Sequence, residues 1–373
     1  MPYVTLPLTP VYRQLTFEEL LRHEIDVKRP VYTNESNTRT YFTDAPSAAL
    51  IKDANVPRLI RRLRDFRQTY DALYRADRKA LFHTFPIPKR SGGLRRIDAP
   101  VPELMDALRL LKQILETSMP ADHHTAAFAY VKGRSTVDAV RRHQRNDSWW
   151  YAKYDFSDFF GSTNKEFTVR MLHQLFPLHL AEEELLSDVL DLCFLNGKLP
   201  QGTPISPLLT NLVMIPLDHS ITKAFAEDES HQWIYTRYAD DILVSSRVGF
   251  DVKYPQTVIT NAVNRFGAPY RIKSEKTRYG SRAGANWNLG LMLNKDNAIT
   301  IGHKTKERFR AMVHSYMMDR KNGTPWPLHD IQTLHGHLSY YDKVEPAYIK
   351  KLKEHYHEKF GQDPLVCMLE DLR

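Results

Sequence analysis

The chain has 373 residues, 42% of them hydrophobic and 26% charged, with 52 Lys and Arg against 44 Asp and Glu. That composition describes a globular protein with room for two or three domains or subdomains, and no apolar run approaches a membrane span. The net charge of +8 favours a polyanionic partner. Two cysteines, Cys193 and Cys367, make neither a disulfide framework nor a zinc site. The start, Met1-Pro-Tyr-Val-Thr5, lacks the basic and apolar regions of a signal peptide, so a cytoplasmic protein is expected.

Along the chain, residues 1–80 read as an N-terminal helical extension after an irregular start. Within it, Arg58, Arg61, Arg62, Arg64 and Arg67 alternate with Leu59, Ile60, Leu63 and Phe66. That is a basic amphipathic helix, suited to nucleic acid, to solvent or to a membrane surface. From Phe85 to Pro100 the pattern shifts to short strands around a Ser91-Gly92-Gly93 turn. Leu104, Leu108, Leu111 and Leu115 then mark one face of a helix over Pro102–Thr117. A strand is expected at Trp149–Phe156, helices over 164–195, and another helix beginning within 205–225. A hairpin follows around Asp240, then a strand at Ile299–Ile301 and a helical tail from 304 to 373. Strands do not alternate regularly with helices, which predicts an α+β fold with an antiparallel sheet.

Three segments carry the chemistry. Asp240 and Asp241 lie between apolar, strand-like runs in Trp233-Ile-Tyr-Thr-Arg-Tyr-Ala-Asp-Asp-Ile-Leu-Val-Ser-Ser246. Asp is depleted in strands, and two together repel, so the pair marks either an exposed turn or a cation site. Upstream, Asp155 ends a strand-like run in Tyr151-Ala-Lys-Tyr-Asp-Phe-Ser-Asp-Phe-Phe-Gly-Ser162. A strand-end carboxylate beside a hairpin pair could hold two Mg²⁺ ions, with Mn²⁺ as the alternative; Mg²⁺ takes a few carboxylates plus substrate phosphates. Between them lies the Pro/Gly-rich loop Leu199-Pro-Gln-Gly-Thr-Pro-Ile-Ser-Pro207, opening a helix.

In that order, Asp155, the Gln201 loop and Tyr238-Ala-Asp-Asp241 resemble motifs A, B and C of reverse transcriptases. Ile87-Pro-Lys-Arg-Ser-Gly-Gly-Leu-Arg-Arg-Ile-Asp-Ala-Pro100 is similar to their bacterial fingers motif, and Ala127-Phe-Ala-Tyr-Val-Lys-Gly-Arg-Ser135 to the next one. Lys273-Ser-Glu-Lys-Thr277 resembles motif D, Asn288-Leu-Gly290 the primer grip, and Leu334-His-Gly-His-Leu-Ser-Tyr-Tyr341 with Pro346-Ala-Tyr348 a retron-type thumb. The Asn-Ala-x-x-His and Val-Thr-Gly signatures of retron enzymes are replaced here by Asp138-Ala-Val-Arg-Arg-His143 and Asn288-Leu289-Gly290. The resemblance is therefore to the broader group of retron-like, defence-associated bacterial reverse transcriptases.

That resemblance implies a right-hand polymerase. Fingers would occupy 81–150, the palm 151–295 with a fingers insertion over about 164–200, and a helical thumb 296–373. It implies Asp155, Asp240 and Asp241 as metal carboxylates, with the Phe156 carbonyl as a further ligand. Lys89, Arg95 and Arg96 would neutralise the incoming triphosphate, which a guanidinium fork suits. Gln201 would touch the nucleotide, Tyr238 and Ala239 the primer end, and Lys276 would donate a proton to pyrophosphate. Phe160, five positions after Asp155, stands where these enzymes carry the aromatic gate against a ribose 2′-hydroxyl. Lys132, Arg134, Arg141 and Arg142, with Arg145, could follow a template backbone or simply face solvent. His335/His337 and His355/His357 are spaced i,i+2, which points their rings apart on a helix and argues against zinc. The partners implied are a non-coding RNA template, its cDNA product and dNTPs, with no membrane. An oligomeric copy or an accessory effector protein stays open, as do protein-primed or untemplated synthesis and a non-catalytic RNA-binding role. A nucleotide-hydrolysing P-loop is excluded, because no Gly-x-x-x-x-Gly-Lys-Ser/Thr occurs.

Overall fold

The computed structural model describes residues 56–88, 92–119, 121–284, 286 and 288–373, together with two short paired strands, β1 (Leu6–Pro7) and β2 (Thr38–Arg39). The expected helical character of residues 1–55 falls outside these apart from those two strands, and Lys89 lies outside them too. The chain forms two compact units. The first takes in 56–135, 152–244 and 250–278; the second takes in 136–151, 245–249 and 279–373.

In the first unit, the basic helix Val56–Thr69 turns Leu59, Leu63 and Phe66 inward and leaves Arg58, Arg61 and Arg64 exposed. Its apolar stripe meets the helix Pro102–Ser118, whose Leu104, Leu108, Leu111 and Leu115 are all fully buried. Leu186, Val189 and Leu190 of the helix Glu183–Leu190 complete that core. Between the two long helices run β3 (Phe82–Pro88) and β4 (Leu94–Pro100), an antiparallel hairpin in which Phe85 pairs with Ile97. Gly92 and Gly93 take φ of 86° and 79° before β4, a conformation that glycine adopts without strain.

A four-stranded sheet has the order β6–β7–β5–β8, where β5 is Trp150–Asp155, β6 Ile234–Tyr238, β7 Asp241–Ser246 and β8 Arg278–Ser281. Backbone bonds from Trp149 to Ser246 and from Phe156 to Asp240 show that β5 and β7 run antiparallel. The helix Ser206–Glu227 backs the sheet. It is buried all round from Leu208 to His219 and exposed towards its C-terminal end, and its Val213, Leu217 and Ile221 join Tyr154, Phe156, Ile242 and Val244 in a second core. The expected α+β class with an antiparallel sheet is the one the chain adopts.

The second unit is largely helical: His303–Lys321, Leu328–Val344, Pro346–Phe360 and Pro364–Asp371. Phe309, Val313, Leu334, Leu338, Ile349 and Met368 are buried among them. Arg320 fastens the last helix by bonding Asp371 and Glu370. Tyr341 is buried, its ring edge-on to Phe309, so it is core here; Tyr340 is partly exposed. Among the described residues no helix is long and apolar enough to cross a membrane.

Candidate active site

The acidic residues come from two adjacent strands. Asp155 is the last residue of β5 and only 7% exposed; Asp241 opens β7; Asp240 sits in the two-residue connection from β6. The backbone itself joins the two motifs, because the Phe156 amide donates to the Asp240 carbonyl at 3.1 Å. Burial raises the Asp240 carboxyl above its ordinary value, and the charges of Asp155 and Asp241 add to the shift. Three carboxylates are thus held close enough to repel, an arrangement that a divalent cation would relieve.

Among the described residues no three such side chains form a ready-made metal cage. Lysines pair with two of the three carboxylates, Asp155 and Asp241. Lys276 Nζ lies 3.0 Å from both oxygens of Asp155, Lys273 Nζ lies 3.5 Å from one of them, and Lys153 Nζ lies 3.2 Å from Asp241. The hydrogen bond to Asp155 raises the Lys276 ammonium above its usual value. Lys276 is at least half exposed, so its contact is exchangeable with solvent or ions. Oxygen donors on strand ends, incomplete without substrate, fit Mg²⁺.

The hairpin turn is built with care. Ala239 has a φ of 57°, the sign that primed hairpin turns require at their first central position and that a residue with a Cβ takes only under restraint. One restraint is Arg237, 1% exposed, one of whose terminal nitrogens donates to the Ala239 carbonyl at 3.2 Å. The guanidinium is clamped to Asp218 of the buried helix, with three bonds of 2.8–3.1 Å. Asn211 accepts from Arg237, and the Tyr235 hydroxyl donates to Asp218 at 2.6 Å. Asp218 holds Arg237 charged despite the opposing effect of burial. Sequence reasoning missed this network. Its signal was present: a lone Arg in an apolar strand, and a lone Asp in an apolar stretch of helix.

The other expected site residues lie on separate elements. Phe160 lies on the short helix Phe159–Ser162, half-buried, its ring edge-on to Phe159. The Gln201 loop is joined to β4, since the Asp98 amide donates to the Gln201 carbonyl at 2.7 Å. Gly202 follows with a φ of 121°, where a Cβ would lie 2.9 Å from Ile97 and 3.0 Å from the Asp98 carbonyl; only glycine fits that approach. Arg95 and Arg96 are exposed on β4, and Arg96 pairs with Asp98 at 2.8 Å. Tyr238 is half-buried.

The basic stretch divides. Lys132 is exposed in the first unit, but Arg134 turns inward and donates to the carbonyls of Thr125 and Ala127 at 3.0 and 2.6 Å. It clamps a loop whose carbonyls need a donor, and one terminal nitrogen makes both bonds. In the second unit, Arg141 pairs with Asp138 at 3.0 Å and Arg142 is half-buried.

Residues 87–308, more than half the chain, match the model of the family "Reverse transcriptase (RNA-dependent DNA polymerase)". The chain belongs to that family. Among characterised proteins it is similar to the Retron Ec83 reverse transcriptase of Escherichia coli, at 28% identity over 78% of this chain and 91% of that protein. It is also similar to the Retron Ec73 reverse transcriptase of E. coli, at 27% over 73% and 86%, and to the Retron Mx162 reverse transcriptase of Myxococcus xanthus, at 28% over 71% and 58%. Retron enzymes are therefore relatives even though both of their short signatures differ here. Among solved structures it is similar to apo telomerase from Candida tropicalis lacking its C-terminal domain, with a TM-score of 0.43, 13% identity, and coverage of 76% of this chain and 65% of that one.

Proposed function

We propose that this reverse transcriptase copies a non-coding RNA into cDNA from dNTPs, as part of a cytoplasmic anti-phage system. The observation that carries the polymerase reading is the meeting of Asp155, Asp240 and Asp241 on neighbouring antiparallel strands. The retron relatives support the non-coding template and the defensive role. Residues 81–150 then serve as fingers, 151–295 as palm and 296–373 as thumb.

Two Mg²⁺ ions, with Mn²⁺ as an alternative, would be held by Asp155, Asp240, Asp241 and the Phe156 carbonyl; bound there, they supply activation of the attacking oxygen and charge neutralisation of the pyrophosphate. Lys89, Arg95 and Arg96 take the triphosphate, and Gln201 lies against the nucleotide. Tyr238 and Ala239 seat the primer end. Lys276, charged beside Asp155, is poised to give its proton to the leaving pyrophosphate. Lys132 and Arg134 in the first unit, and Arg141 and Arg142 in the second, follow the template backbone, with Arg134 also bracing its own loop.

The test is to purify the protein with its bound nucleic acid, sequence that RNA, and add dNTPs with Mg²⁺. cDNA complementary to the bound RNA is expected. DNA unrelated to it would favour protein-primed or untemplated synthesis, and no synthesis with any template or primer would leave an RNA-binding role. Phe160→Ala should admit ribonucleotides, reducing the dNTP preference on the order of 100-fold. An unchanged preference in single-nucleotide kinetics would remove Phe160 from the gate.

A further inference from the structure

We propose that Tyr130 is a positioning residue for sugar discrimination, holding the Phe160 ring in the orientation that opposes a ribose 2′-hydroxyl. This rests on the reading of Phe160 as the gate. The two rings meet edge to face, with centroids 6.2 Å apart and planes at 67°. That is a favoured geometry for an aromatic pair, since the positive edge of one ring meets the negative face of the other. Phe160 also meets Phe159 edge to face; Phe159 is 3% exposed and part of the second core. Among the described residues Tyr130 supplies the one other ring contact to Phe160.

The loop that carries Tyr130 is built to hold it there. Tyr130 has a φ of 61°, which a side-chain-bearing residue adopts only where its surroundings enforce it. On one side, the Ala129 carbonyl accepts from Asn211 at 2.9 Å and Phe128 bonds the backbone of Arg237 at 2.9 Å. On the other, Val131 is buried and its carbonyl accepts from the Arg134 amide. Anchored at both ends, the loop still leaves Tyr130 57% exposed. Among the described residues its one ring contact is with Phe160. Partial burial raises its phenol above the usual value, and the negative charge of Asp240 adds to the shift. The loop therefore ties together Phe160, strand β6 and the helix that carries Asn211.

The experiment compares kcat/KM for a dNTP and the matching rNTP, so that any loss of folded protein cancels in the ratio. Tyr130→Ala should lower the dNTP preference by roughly 3–10-fold, the range an edge-to-face pair supports. Tyr130→Phe, which keeps the ring, should restore the preference to within about twofold of wild type. The double variant Tyr130→Ala/Phe160→Ala should match Phe160→Ala alone, because the first residue acts through the second. A Tyr130→Ala ratio equal to wild type, while Phe160→Ala lowers it, overturns this proposal and leaves the gate intact. A Tyr130→Phe ratio as low as Tyr130→Ala, or fully multiplicative losses in the double variant, also overturns it. If Phe160→Ala itself keeps the wild-type ratio, the gate reading fails first.

Discussion

Asp240→Asn should reduce nucleotide incorporation on the order of 1000-fold while the protein folds as well as wild type or better. The two effects have one cause. Burial first, then Asp155 and Asp241, raise the Asp240 carboxyl above 3.8, so the folded chain binds that proton more tightly than the unfolded chain does. Ionising Asp240 therefore costs stability. The cost is absent below about pH 3.8, grows as pH rises towards the raised value, and is complete above it. An amide carries no charge and avoids the cost, but it cannot supply the negative charge that a cation needs. With divalent ions chelated, the variant should melt at or above the wild-type temperature at pH 7, and the difference should shrink on acidification. Added Mg²⁺ should then raise the wild-type melting temperature more than that of the variant, since only a binding site links the ion to folding. Equal shifts in both proteins would remove Asp240 from the metal site, whatever the activity shows.

The parts of this site that sequence made legible are those with a local pattern. Leu104, Leu108, Leu111 and Leu115 follow a helical period, and all four are buried. Asp155 and the Asp240–Asp241 pair interrupt apolar strand runs, and the acidic centre lies where those runs end. What stayed hidden depends on pairing between distant segments. Nothing in the stretch around Arg134 indicates that its guanidinium turns towards Thr125 and Ala127; in one dimension it reads as one more cation in a basic run. Lys153 and Lys273 were likewise ordinary surface lysines until the strands brought them to Asp241 and Asp155. Tyr130 sat inside a recognisable motif with no role, because its meaning comes from a ring 30 residues later in the chain.

Arg237→Met should destabilise the protein by about 3–5 kcal/mol, since it strands Asp218 as an unpaired charge in a fully buried site. Urea unfolding measures the loss. Replacing both partners, as in Arg237→Met/Asp218→Leu, removes the stranded charge and should recover most of that stability. The catalytic turn should not recover with it. Ala239 holds a φ of 57°, a conformation that costs on the order of 1–3 kcal/mol, and the Arg237 guanidinium is the donor to its carbonyl. Without that donor the turn keeps the Phe156 amide's bond to the Asp240 carbonyl, and the relaxed backbone shifts the Asp240 side chain. The double variant should therefore be stable yet show a lowered kcat, with KM for dNTP changed less, because the loss falls on the alignment of reacting groups. A double variant as active as wild type would show that the turn keeps its shape unaided, and that the buried pair serves the fold alone. A single variant as stable as wild type would mean that Asp218 finds another partner or a proton. The pairing of Arg237 with Asp218 at 2.8 Å, away from all solvent, predicts neither.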